Sequence, residues 1–302
     1  MPDIDRIGRL CRIFLLLTVI VLLPAASGGA DPVGLTEFLP RHAATMFGAD
    51  IAALCANEQS AVVFVPLKER FPVLADGISQ AVFACDAAGQ KRNWLVSFKT
   101  DDMLDAIWDS VEKRFASSRH EFGGKNIFYL RGKPGERKAF RLIRINPQTA
   151  AVYTRYPYGD RSIPDSKGIS AALSRYLPRR SGIFLWGYGT PRIPKPYLKD
   201  ISKYSFVLEK GADGELYIHG EVAFNNAMGA MLANNFVSNV LSVVLEKKYS
   251  IPVDITNEAV RSLVFERKKN LLRFSGREMG PVLVLASKII AAEAESWESL
   301  IK

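Results

Sequence analysis

Four times along the chain two short apolar runs flank a tight polar turn, and at least three of these pairs lead into a helical pattern. The first pair is 81–86 with 94–99 across 87–90. It enters a helix at Thr100, a good N-cap, with Asp101 and Asp102 suited to the positive end of the helix dipole. Met103, Leu104, Ile107, Trp108, Val111 and Phe115 recur there at helical spacing, and a strand is expected at 126–131. The second pair is 140–145 with 151–154 across 146–148, followed by a helix over 169–176 and a strand over 183–188. The third joins 204–210 to 215–224 across Gly211-Ala212-Asp213-Gly214, a strong hairpin signal. A long helix over 228–247 comes next, with Met231, Leu232, Phe236, Val240, Leu241, Val244 and Leu245 directed inward. The fourth pairs 262–267 with 271–275 across 268–270, and Pro281 then opens a terminal helix, where a first-turn proline costs little.

Ahead of these units, 35–57 reads as an interrupted helix and 61–67 as a short buried strand. The order predicts an α+β fold, antiparallel sheets with helices packed on one face. The proline-rich stretch 189–200 divides the mature chain into two similar halves, 31–190 and 191–302. Their likeness is architectural, without the fixed period of a repeat array.

The first thirty residues have the layout of a signal peptide. Arg6, Arg9 and Arg12 precede an apolar run from Ile13 to Leu23, and Pro24 and the small residues 25–30 follow it. A membrane-spanning helix needs about 20 apolar residues, and this run stops short of that. Cleavage after Ala30 is expected, with an uncleaved anchor as the alternative; after cleavage no transmembrane helix is expected. The implied compartment is periplasmic or extracellular, and the absence of any Asn-x-Ser/Thr acceptor favours a bacterial source.

The chain carries +9, and the leader holds three Arg and two Asp, so the mature protein carries +8. Segment 155–203 alone contributes +7, with ten basic residues against Asp160, Asp165 and Asp200. The electrostatic field is therefore concentrated in the middle third. Tyr156, Tyr158, Tyr176, Trp186, Tyr188 and Tyr197 lie within it, and six prolines limit its regular structure. Arginine with tyrosine is the composition of contact surfaces. Arg175, Tyr176, Arg179, Arg180, Arg192, Lys195, Tyr197 and Lys199 are the candidate partner-binding residues. A solvated loop that merely keeps the protein soluble is the competing reading.

Cys55 and Cys85 survive cleavage and are a candidate disulfide in an oxidising compartment. Two small apolar core residues are the alternative.

The order Phe38-Leu39-Pro40 at the start of the mature chain, followed by the hairpin and helix units, resembles uncharacterised exported bacterial proteins of similar two-half plan. The resemblance implies fold and compartment only.

No catalytic signature accompanies this pattern. His42, His120 and His219 are the whole histidine supply, and none lies among carboxylates or cysteines at metal-ligand spacing. His219 shares a strand face with Tyr217 and Glu221; a proton-transfer group is conceivable there, and a solvated face is the ordinary reading. Nucleophile elbows and phosphate-binding glycine loops are absent, and no catalytic residue, metal site or cofactor is implied. The expectation is an exported, non-enzymatic binding or structural protein that contacts an envelope protein or an anionic envelope component. Nucleic acid is not an expected partner. The alternatives are a carrier of a lipid or other apolar ligand, with its pocket beside the long helix, and a hydrolase of unrecognised type.

Overall fold

The computed structural model describes residues 43–70, 77–86, 94–99, 105, 106, 109, 116–122, 125–130, 140–153, 182–190 and 200–301. Twelve strands are described: β1 (Ala43–Asp50), β2 (Gln80–Asp86), β3 (Trp94–Lys99), β4 (Ala116–Phe122), β5 (Lys125–Leu130), β6 (Phe140–Asn146), β7 (Thr149–Tyr153), β8 (Ile183–Gly189), β9 (Ile201–Lys210), β10 (Leu216–Phe224), β11 (Leu263–Lys268) and β12 (Leu271–Gly276). They form one antiparallel sheet in the order β11-β12-β10-β9-β8-β1-β2-β3-β7-β6-β5-β4. The described helices are α1 (Ile51–Ala56), α2 (Glu58–Ala61), α3 (Val65–Arg70), α4 (Ala227–Asn239), α5 (Leu241–Tyr249), α6 (Val253–Arg261) and α7 (Gly280–Ile301). The protein is α+β, as the hairpin and helix order predicts. The expected boundary at residue 190 falls between two strands that pair directly, β8 and β9.

All four expected hairpins form, because each turn and its flanking apolar runs carry their own instructions. Ala81 pairs with Phe98, Arg144 with Ala150, Leu208 with Ile218, and Phe265 with Phe274. The turn of the third contains Gly214 at φ 87, a backbone conformation that favours glycine. The tip of the fourth instead places Lys269 at φ 55. The strand expected at 126–131 is β5, and that at 183–188 is β8. Of the helix after Thr100 only residues 105, 106 and 109 are described, and they are helical. The helix expected over 169–176 lies outside the described residues.

Three expectations are corrected. First, 43–50 is strand β1, not helix. Tertiary packing outweighs the helical preference of Ala and Met here, because β1 is held between β2 and β8 with Met46 and Phe47 buried. Gly48 faces the indole of Trp186 so closely that a Cβ would lie 2.3 Å from it. Second, 61–67 is not a strand. The Asn57 side chain accepts hydrogen bonds from the backbone N–H groups of Gln59 and Ser60 and starts α2. Val63 and Phe64 are then buried in a turn, and α3 follows with Pro66 in its first turn.

Third, the long helix over 228–247 is two helices bent by 54° where α4 gives way to α5. Each half serves a different layer. Ala230 and Ala233 of α4 pack with Phe224 and Leu272 of the sheet, whereas Leu245 of α5 packs with Ile251 and with Ile289 of α7. Small residues take the inward positions of α4, so Met231 and Val240, expected inside, are 37% and 42% exposed.

A row of directly paired residues crosses the whole sheet: Phe265, Phe274, Gly220, Phe206, Gly187 and Phe47, continuing through Phe83, Val96, Val152, Leu142 and Phe128 to Arg119. Directly paired residues share a face. The glycines make room for their neighbours' rings: a Cβ on Gly187 would lie 2.3 Å from Phe206, and one on Gly220 would lie 2.5 Å from Phe274 and from the Ser205 carbonyl oxygen. Phe47 and Phe206 meet at 5.8 Å between ring centroids. In β10–β12 this is the face that α4 covers.

Candidate functional site

The site expected from the sequence falls in the connection from β8 to β9 and the segment before it. Arg175, Tyr176, Arg179, Arg180, Arg192, Lys195, Tyr197 and Lys199 lie outside the described residues. The flanks of the connection are described. It leaves β8 after Gly189 and enters β9 at Ile201, the end of the sheet where β10 runs into α4 and where β11 turns into β12. Asp200 is fixed there, its carbonyl accepting a hydrogen bond of 2.6 Å from the Asn225 N–H. The chain then enters α4 through Asn226, whose side chain accepts from the Gly229 N–H at 2.8 Å.

Three cations that sequence reasoning assigned to an ordinary hairpin, Arg267 to its first strand and Lys268 and Lys269 to its turn, stand at the same end. Arg267, Lys268 and Lys269 are exposed at the β11–β12 tip. Asn270 fastens the tip to the start of α4: its carbonyl accepts from the Phe224 N–H and its side-chain amide donates to the Phe224 carbonyl, each at 2.8 Å. The local signal was visible as three consecutive basic residues. Its place at the end of the sheet where β8 ends and β9 begins was not, because that depends on pairing between residues far apart in sequence.

Two aromatic residues of the basic segment have structural roles. Trp186 and Tyr188 are buried in β8, at 3% and 7% exposure. The Lys203 ammonium lies 5.6 Å from the Tyr188 ring centroid and 3.9 Å from Glu221, at the base of the connection.

The opposite face of β9–β12 carries a ladder of charges. Glu221 lies 3.8 Å from Arg273, and His219, itself exposed, lies 3.8 Å from Glu209. With Ser205, Val207, Val264 and Glu266, the residues His219, Glu221 and Arg273 line a concavity of 450 Å³. Tyr217 donates its hydroxyl hydrogen to Asp213, and the Arg277 guanidinium lies 5.8 Å from its ring. That hydrogen bond lowers the Asp213 pKa and raises that of Tyr217. Tyr217, His219 and Glu221 thus share a face as expected, but each engages a different partner, so they form no relay. A second concavity, 540 Å³, lies between Gln59, Tyr217, Arg277 and the start of α7. Among the described residues no group of His, Cys, Asp and Glu is arranged to hold a metal ion.

Cys55 is a half-buried residue of α1, and Cys85 lies in β2 paired with Thr45 and Trp94. Asp50 caps α1, accepting from the Ala53 N–H at 2.9 Å. Burial raises its pKa above the usual carboxylate value, against the lowering effect of that hydrogen bond.

No known protein family matches the sequence, and no curated protein does. Among solved structures the chain is similar to three crystal forms of TP0453. Form I has a TM-score of 0.43 at 8% identity, covering 85% of this chain and 96% of that one. Form IV has 0.46 at 7% identity, covering 83% and 96%, and form III has 0.46 at 9%, covering 88% and 98%.

Proposed function

We propose that this chain is an exported, non-enzymatic binding protein that contacts an anionic component of the bacterial envelope with the end of the sheet from which the 190–200 connection leaves. One observation carries this reading. The flanks of that connection, which contains Arg192, Lys195 and Lys199, and the exposed tip Arg267-Lys268-Lys269 lie at the same end of the sheet. Charges distant in sequence there reinforce one another, and a field of one sign draws and orients an anionic partner. The signal-peptide layout supports the compartment, and an exported location makes nucleic acid an unsuitable partner. The described part of this end presents Arg267, Lys268, Lys269 and the Asn270 amide, with Asp200 and the Lys203–Glu221 contact beside them, and the exposed cations suit recognition of negative charge.

Binding to isolated envelope fractions should fall steeply as salt rises from low to physiological concentration, because exposed charges are screened beyond about 8 Å at 0.15 M. A variant combining Arg192→Glu, Lys195→Glu and Lys199→Glu, in the connection itself, should lose most of the retention seen for the parent protein at low salt. Retention that is indifferent to both salt and charge reversal contradicts the reading.

A further inference from the structure

From Val222 to Leu245 the chain contains no Asp, Glu, Lys or Arg, although charged residues make up 24% of the protein. This stretch covers α4 and the beginning of α5, and much of it faces outward. Met228 is 60% exposed, Met231 37%, and Val240 and Val243 42% each. Single exposed apolar residues are ordinary; here they share the outer side with the exposed Asn226, Asn235, Ser238 and Asn239, and a helix surface with several exposed apolar side chains and no charge among them is suited to contact. The inward side is occupied, since Gly229, Ala230 and Ala233 are buried, the alanines against the sheet. No single described helix is long and apolar enough to cross a membrane; α4 and α5 meet that length and composition only together, across their 54° bend. Packed along the protein as they are, they present a side and not a span.

We infer that the outer face of α4 and α5 docks onto the surface of an anionic phospholipid bilayer, and that the basic end of the sheet supplies its electrostatic attachment. This rests on the proposed function and deepens it by naming the anionic component. The argument for a bilayer is the disposition of charge. The β11–β12 tip that carries Arg267, Lys268 and Lys269 is fastened to the end of β10, three residues before α4, through the Asn270–Phe224 hydrogen bonds, so cations stand near where Met228 begins the exposed apolar residues, with Asp200 packed beside Gly229. Lys247, with Glu246 before it, is exposed just after the other end. Cations bordering an uncharged helix surface that carries exposed Met and Val side chains match an interface in which anionic head groups surround acyl chains. The carboxylates Glu209, Glu221 and Glu266, which anionic lipid would repel, belong to the opposite face of the sheet together with Lys203, Arg273 and, by register, Lys268, whereas Arg267 shares the face that α4 covers.

The test is co-sedimentation with phosphatidylcholine vesicles and with vesicles containing 30% phosphatidylglycerol, a proportion of the order that gives a biological anionic surface. The parent protein is compared with Met228→Glu/Met231→Glu, with Lys268→Glu/Lys269→Glu, and with Arg273→Gln on the opposite face. All share the same N-terminus, so any contribution of the first thirty residues cancels. All four sites substituted in the paired variants are exposed, and far-ultraviolet circular dichroism establishes that each variant is folded. The parent and Arg273→Gln should bind the anionic vesicles far better than the neutral ones. Each paired variant should lose about tenfold or more in partition coefficient. If the methionine variant binds as the parent does while the lysine variant does not, the docking face is wrong and the anionic-surface reading stands. If the parent ignores vesicles but is retained by envelope fractions in a salt-dependent way, the surface serves a protein or polymer and the lipid inference falls. If envelope retention is absent as well, the underlying function falls with it.

Discussion

The two faces of β9–β12 are built from the same strands and answer to different physics. Toward α4, Phe265, Phe274 and Phe206 interlock around Gly220, and Leu272, Val222 and Phe224 join α4 in a packed cluster. Toward solvent, Glu221 and Arg273 make a long ion contact of 3.8 Å, His219 lies 3.8 Å from Glu209, and Glu266 stands opposite Arg273 in the ladder. Interiors punish changes of a single carbon atom, whereas exposed ion pairs add little. On these principles most of the stability resides on the helix-covered face, and the exposed charges contribute little to it.

The contrast breaks most readily at Leu272 and Arg273, neighbours in sequence that point to opposite faces. Leu272→Ala should cost about 2–5 kcal/mol in urea-induced unfolding. Gly220→Ala, which adds one carbon, should still cost about 1–3 kcal/mol, because the Ser205 carbonyl oxygen stands where the new atom must go and a backbone atom yields little. Arg273→Ala should cost about 0–1 kcal/mol. Equal losses at 272 and 273 would remove the distinction between the faces.

The smallest effect concerns Asp50, at the junction of β1 and α1. Its pKa is raised in the folded state by burial, so ionising it opposes folding. Stability from this group is fully present below its ordinary value of 3.8 and is lost as pH rises through the raised folded value. Asp50→Asn keeps a capping oxygen and removes the charge, so thermal unfolding should show a gain above that range and none below it. A loss of stability at neutral pH would mean that the capping charge matters more than its burial.

The hairpins were legible in the sequence because their signals are local. Gly211-Ala212-Asp213-Gly214 states its turn within four residues, and Gly214 takes the positive φ that the turn needs. Strand β1 was not legible, since Ala43–Asp50 becomes extended only between β2 and β8. The outward orientation of Met231 and Val240 was hidden for a related reason. Sequence periodicity favours large apolar residues as the buried ones, whereas close approach of α4 to the sheet selects Ala230 and Ala233. The candidate site was legible as a concentration of charge in 155–203. The position of the β11–β12 tip at the end of β10 was not, because Asn270 and Phe224 meet across 46 positions of sequence.

Hydrogen exchange of the protein with and without vesicles containing phosphatidylglycerol tests the account most directly, because it reads both sides of the sheet in one sample. The account predicts slower exchange across α4 and α5 and at the β11–β12 tip when vesicles are present, with the segment around Tyr217 and His219 unchanged. Protection around Tyr217 and His219 with α4 and α5 unaffected would place the contact on the charged face and contradict it.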